Sequence, residues 1–209
     1  MWRRVSARAP RRTGMSAAER RAAILDAAME AFARHGYHGT SIDDIASAAG
    51  ISKALIYEHF PSKQGLHAEL VTAQAEALFA RLAAAATDPD ATPEERLRGG
   101  VDAFLGFVEE RRDAWRALFR DAADPELGEV IDRVQHDATS AVAELLMPGA
   151  DDALHQEVEI LAEMLSGAVQ ALANWWHDHP EVPRAELVER AAAFAWPGLA
   201  RLGGRSDGA

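Results

Sequence analysis

Apolar residues recur along this chain at helical spacing, three or four positions apart, and the runs are punctuated by Ser, Thr, Asp, Gly and Pro in capping positions. No stretch alternates apolar and polar residues with β-branched enrichment, so strands are not expected. The pattern predicts an all-α fold.

Ser16 and Glu19 form an S-x-x-E capping box that opens a first helix, with Ile24, Ala28 and Phe32 on one stripe and Gly36 expected to end it in the left-handed region. Ser41 and Asp44 open a second helix whose Ile42, Ile45 and Ala49 point inward and which Gly50 closes. Ser52 caps a third, stopped at Pro61. A longer helix follows from about Ser62, with Leu66, Leu70, Ala73 and Ala77 as its expected inner row, and fades into the linker "TDPDATPEE". Thr92, Pro93 and Glu95 supply the cap, first-turn proline and acid of the next helix. "RRDAWRALFRDA" reads as a short helix with Trp115, Leu118 and Phe119 on one side, and Asp124 with Pro125 start another. The longest helix is expected from Asp151 to His177, and a last one from Pro183 to Trp196, interrupted by Pro197.

Two helices meeting through "AAGIS" make a helix-turn-helix, in which the second helix enters the DNA major groove. With Ile56 at the centre of the inward face, Ala54 and Glu58 look outward, Lys53 and Tyr57 lie on one flank, and Leu55 and His59 on the other. Lys53 can reach a guanine or a phosphate, Ala54 lets the backbone approach, and Leu55 can touch a thymine methyl. Tyr57 and His59 suit phosphate oxygens. Thr40, Ser41 and Ser52 stand at helix N-termini, where backbone N–H groups favour a phosphate, and Lys63 is expected at the flanking backbone. Glu58 would repel phosphates unless it faces a cytosine amino group or sits beyond the groove wall.

The charge distribution strengthens this reading. The chain has 209 residues and a net charge of −11, yet residues 1–63 hold ten Lys/Arg against six Asp/Glu, a net of +4, leaving −15 for the rest. A basic end that touches nucleic acid and an acidic body that does not is the arrangement this predicts. The alternative is an ordinary solvated surface with a basic tail.

The segment "GTSIDDIASAAGISKALIYEHFPSKQGL" resembles the N-terminal signature of TetR-family transcriptional regulators. The matching positions are Thr40, Ser41, Ile45, Ala46, Gly50, Ser52, Tyr57, His59, Phe60 and Lys63. Leu55 departs from the pattern, since many members carry a threonine there that helps contact the operator. The resemblance implies an all-α homodimer, usually a repressor. It also implies a variable C-terminal domain that binds a small effector and dimerises through its last two long helices.

This gives four expected regions: a basic, disordered leader at 1–15, a helix-turn-helix domain at 16–62, an effector-binding and dimerisation domain at 63–203, and a disordered tail at 204–209. The leader "MWRRVSARAPRRTG" either extends into a minor groove or stays disordered, Met15 standing directly before the first cap. The helix from Ser62 joins the two domains and is the natural lever between them. For dimerisation the candidates are Leu161, Leu165, Ala168, Leu172 and Trp175, beside the small Gly167 and Ala171, with Leu187, Ala191 and Phe194 on the last helix. The same stripes could instead bury within one subunit. For an apolar or aromatic effector the candidates are Phe104, Phe107, Trp115, Phe119, His136, Met164 and Trp176, any of which could equally be core.

The rival class is a helical small-molecule-binding protein or an enzyme without DNA contact. The chain has no G-x-S-x-G, H-E-x-x-H, Walker or dinucleotide motif, so no catalytic residue and no cofactor are expected. His177 with His179, and His155 with Glu159, lack a third ligand at predictable spacing, so no metal is expected either. The absence of cysteine suits a reducing cytosol, and neither a membrane-length apolar run nor a secretory leader is present. The expectation is a cytoplasmic regulator with double-stranded DNA, a second copy of itself and a small-molecule effector as partners, and no membrane.

Overall fold

The Ser16 box forms as the spacing predicts. In a computed structural model describing residues 15–85, 87, 88, 90–116, 118, 128–146 and 152–206, Glu19 N–H donates to Ser16 Oγ and the Glu19 carboxylate accepts from Ser16 N–H at 2.6 Å. Every regular element among the described residues is a helix. The leader, Phe119, Asp124 and Pro125 lie outside them.

Helix α1 spans Ala17–Gly39 and buries Ile24, Ala28 and Phe32 completely. Gly36 breaks it as expected, but at φ 70° and ψ 174°, a glycine-favoured conformation other than the left-handed helical one, after which the chain resumes helical turns to Gly39. Helix α2 (Ile42–Ala49) ends at Gly50, φ 67° and ψ 31°. There Gly50 N–H donates to Ser47 O and Ile51 N–H to Ala46 O, closing the helix in a Schellman motif. Helix α3 (Lys53–His59) is capped by Ser52, whose Oγ accepts from Leu55 N–H.

Helix α4 (Lys63–Ala85) buries Leu66 and Leu70 of the expected row but not its second half. Ala73 and Ala77 are exposed, and its inner face is Leu66, His67, Leu70, Val71, Ala75, Leu78 and Leu82. Methyl groups are too small to decide a face against leucines one residue away. This face serves two cores. Its first turns join Ile24, Phe32, Ile45, Ile56 and Phe60, with the His67 ring meeting Phe32 and Tyr37 edge-on. Its last turns join Leu97, Leu105, Phe107, Val108 and Trp176. Each fully buried large side chain contributes about 1.5–3 kcal/mol of apolar transfer, so α4 is fixed strongly at both ends.

Helix α5 (Pro93–Glu110) starts at the Thr92 box. Helix α6 (Arg112–Trp115) opens the segment read as one short helix, whose end lies outside the described residues, and splits its loyalties: Trp115 packs in the second core and Leu118, just beyond, in the first. Helices α7 (Gly128–Leu146) and α8 (Asp152–His177) pack together, and α9 (Arg184–Ser206) lies along α5. Pro197 does not interrupt α9, which runs on into the expected tail. Pro197 and Ala193, the residue whose carbonyl loses its partner, are both exposed, so water can satisfy that carbonyl.

Candidate nucleic-acid interface and effector cavity

Helix α3 turns one face inward and leaves the other bare. Ile56 and Phe60 are buried, whereas Ser52, Lys53, Ala54, Tyr57 and Glu58 are exposed and Leu55 and His59 half-buried on the remaining flank. Tyr57 is 47% exposed, its ring on the outward side of the helix. Lys53 Nζ sits 2.9 Å from Asp43 Oδ2 on α2, a hydrogen bond that raises the lysine pKa above its ordinary value. Both groups are in water, so the pair is weak and can be exchanged for a phosphate or a base.

Two of the expected DNA contacts make hydrogen bonds within the protein. Thr40 is 2% exposed, and its hydroxyl donates to Ala31 O, before the break in α1, and to Gly36 O, at the break itself. Lys63 Nζ donates to Tyr37 O at 2.9 Å and Thr40 O at 3.1 Å and lies 4.2 Å from the centre of the Tyr37 ring. These are strong reasons for an ammonium to face inward, and together they fasten the start of α4 to the α1–α2 corner. Ser41 holds Asp44 in a reciprocal box, and those hydrogen bonds keep the Asp44 carboxyl below its usual range. With Asp43 beside it, the start of α2 is a poorer phosphate site than its dipole alone suggests.

The basic balance of the N-terminal end resides in its first residues. Arg3, Arg4, Arg8, Arg11 and Arg12 precede the described part, and residues 15–63 alone carry five Lys/Arg against six Asp/Glu, a net of −1. Among the described residues the helix-turn-helix segment therefore carries no net positive charge of its own.

The dimerisation candidates divide. Leu165, Leu187 and Ala191 are buried within the protomer, Leu161, Ala168 and Leu172 are half-buried, and Trp175 and Phe194 are exposed at 45% and 75%. The exposed apolar row on α8 is one position over from the expected stripe: Ile160, Met164, Gly167, Ala171 and Trp175. Both rows have helical spacing, and only the packing of α7 and α9 against α8 distinguishes them.

A cavity of about 310 Å³ opens among α4, α5, α6, α7 and α8. Phe104 and Trp115 line it, their rings 5.3 Å apart and edge-to-face, with the Trp115 indole N–H donating to Asn174. The other described candidates do not. Phe107 and Trp176 are packed core, 2% and 1% exposed, with the Trp176 N–H donating to Val182 O. His136 and Met164 are exposed on the outer faces of α7 and α8. Leu78, Leu82, Leu97 and Val101 belong to its apolar wall; their spacing marks them as inward-facing, but only the assembled fold says that the space before them is empty. Among the described residues no cluster of His, Asp or Glu suits a metal ion, and no helix is long and apolar enough to cross a membrane.

Comparison with known proteins matches both halves of this architecture. A family described as "Bacterial regulatory proteins, tetR family" matches residues 24–70, and one described as "Tetracyclin repressor-like, C-terminal domain" matches residues 93–198. The chain is 29% identical to the HTH-type transcriptional activator FasR of Mycolicibacterium smegmatis over 188 residues, 88% of this chain and 84% of that protein. It is 25% identical to the HTH-type transcriptional repressor KstR2 of Mycobacterium tuberculosis over 192 residues, 88% and 94% of the two chains. A solved TetR-like transcriptional regulator from Rhodococcus sp. RHA1 superposes with a TM-score of 0.70 at 32% identity, covering 92% of this chain and 99% of that one. Its relatives being transcriptional regulators, the protein is not an enzyme; the chain belongs to the TetR family of DNA-binding bacterial transcriptional regulators.

Proposed function

We propose that the protein is a cytoplasmic, effector-responsive repressor that binds a palindromic operator as a homodimer and is released by a small apolar or aromatic ligand. In this reading residues 1–15 are a leader, 16–62 read DNA through Ser41, Ser52, Lys53, Ala54, Leu55, Tyr57 and His59, and 63–203 bind the effector and dimerise. The observation that carries the reading is α4. Leu66, Leu70 and Val71 sit in the core of the DNA-reading helices, while Leu78 and Leu82, further along the same helix, form the cavity wall. A ligand that favours a different seating of Leu78 and Leu82 shifts α3 through a continuous helix. By linkage it weakens DNA binding by its own preference between the two states, typically about 1–3 kcal/mol.

The exposed row Ile160, Met164, Gly167, Ala171 and Trp175, with Phe194 of α9, supports the dimer, because small residues beside large apolar ones let two helices approach closely. The named relatives include both an activator and a repressor, so the sign rests on experiment. Deleting the gene and following a reporter driven by its own upstream DNA tests it. Derepression supports the reading, and loss of expression makes the protein an activator. Footprinting the same DNA should protect two half-sites; a single unpaired site would count against the homodimer on a palindrome.

A further inference from the structure

The two sides of the cavity differ in chemistry. The side built by α4, α5 and α6 is apolar, whereas α7 and α8 contribute Gln135, Thr139, Glu163, Ser166 and Gln170. Among the described lining residues Glu163 is the one ionisable group, and no Lys, Arg or His faces it across the cavity. Thr139, 7% exposed, donates its hydroxyl to Glu163 Oε2 at 2.6 Å, which draws the carboxylate against α7 and uses the only hydrogen Thr139 can offer. Ser166 Oγ, one turn along α8, is buried without a hydrogen-bond partner among the described residues.

A carboxylate only accepts hydrogen bonds, so a ligand group that completes this wall must donate. An anionic head would meet Glu163 with no cation among the described lining residues to offset it, and a purely apolar ligand would leave the polar wall unmatched. The geometry points to an effector of the amine class: an apolar alkyl or aryl body against Leu78, Val101 and Phe104, and a protonated nitrogen donating to Glu163. This rests on the cavity being the effector site. Glu163 is solvent-exposed at the mouth between α7 and α8, so its charge is screened and sets a preference rather than an absolute requirement.

The test is isothermal titration of the full chain with decylammonium, decanol and decanoate, repeated on Glu163→Gln and on Ala138→Trp, which fills the cavity from α7. Decylammonium is expected to bind about tenfold more tightly than decanoate, with decanol between them and competing with the amine, and Glu163→Gln should bring the three within about threefold. Equal or tighter binding of decanoate, or a preference that survives Glu163→Gln, overturns the amine assignment. Decanol binding unchanged in a folded Ala138→Trp, or no competition between decanol and the amine, overturns the cavity as the site. Failure of all three probes to bind overturns both. Decanol binding lost in Ala138→Trp, with no amine preference in the parent, overturns the amine class alone.

Discussion

Replacing Thr40 with valine separates a structural role from a DNA contact. Thr40 is 2% exposed, and its single hydroxyl hydrogen is shared between Gly36 O at 2.9 Å and Ala31 O at 3.1 Å. Gly36, with φ 70° and ψ 174°, takes the chain out of helical geometry, and the Thr40 hydroxyl bridges the carbonyl at that break and one in the preceding turns. Valine keeps the volume and removes the donor, leaving a buried carbonyl short of a partner at about 1–3 kcal/mol. For a chain of this size that corresponds to a melting temperature lower by about 2–10 °C. Thermal melts of the parent, Thr40→Val and Thr40→Ser should place the serine variant, which keeps the hydroxyl, between the other two. Fluorescence anisotropy with upstream DNA, well below the melting range, should show affinities within about threefold for all three, since the hydroxyl points inward. A valine variant as stable as the parent, or one that loses DNA affinity at unchanged stability, would refute the structural assignment.

Other outcomes follow from the same surfaces. Lys53→Ala should weaken DNA binding and lower the slope of log affinity against log salt by about one, with no change in melting temperature, because its ion pair with Asp43 lies in water. Deleting residues 1–14 removes five arginines and leaves 15–63 at a net −1, so the salt slope should become shallower still; an unchanged slope would make the leader a bystander. Hydrogen bonds from Ser16, Ser41 and Thr92 hold the Glu19, Asp44 and Glu95 carboxyls below their ordinary values, and the Arg81 fork does the same for Glu110. Depressed folded-state values mean a contribution that is complete above the unfolded carboxylate range and is lost as pH falls through the folded values. Melting temperature should hold above about pH 5 and fall below about pH 4, less steeply in a combined Ser16→Ala, Ser41→Ala and Thr92→Ala variant.

The first three helices were legible because their information is local. Ser16, Ser41, Ser52 and Gly50 sit where caps and a left-handed turn must be, and Ile24, Phe32, Ile45 and Ile56 are large enough to settle a face. Farther along, local information thins. Ala73 and Ala77 fit a helical stripe as well as Leu78 does, and the exposed row of α8 is the expected one displaced by one position at all but Trp175. Phe104, Phe107 and Trp176 are alike as sequence, yet one borders the cavity and two fill core, a difference made by distant neighbours. Thr40 and Lys63 illustrate a further limit: both match the family signature, and side-chain type alone does not say whether a hydroxyl or ammonium serves the protein's own carbonyls or a phosphate.

The outward face of α3 is the claim on which the function turns, and Ala54 tests it most directly, since it is exposed and a photoreactive benzoylphenylalanine can replace it without disturbing the core. With upstream DNA bound, irradiation should crosslink position 54 to bases at two symmetric places about 34–36 Å apart or a multiple of that, while the same group at the exposed Glu76 of α4 should give none. DNA that binds normally yet crosslinks at position 76 and not at 54 would contradict the account.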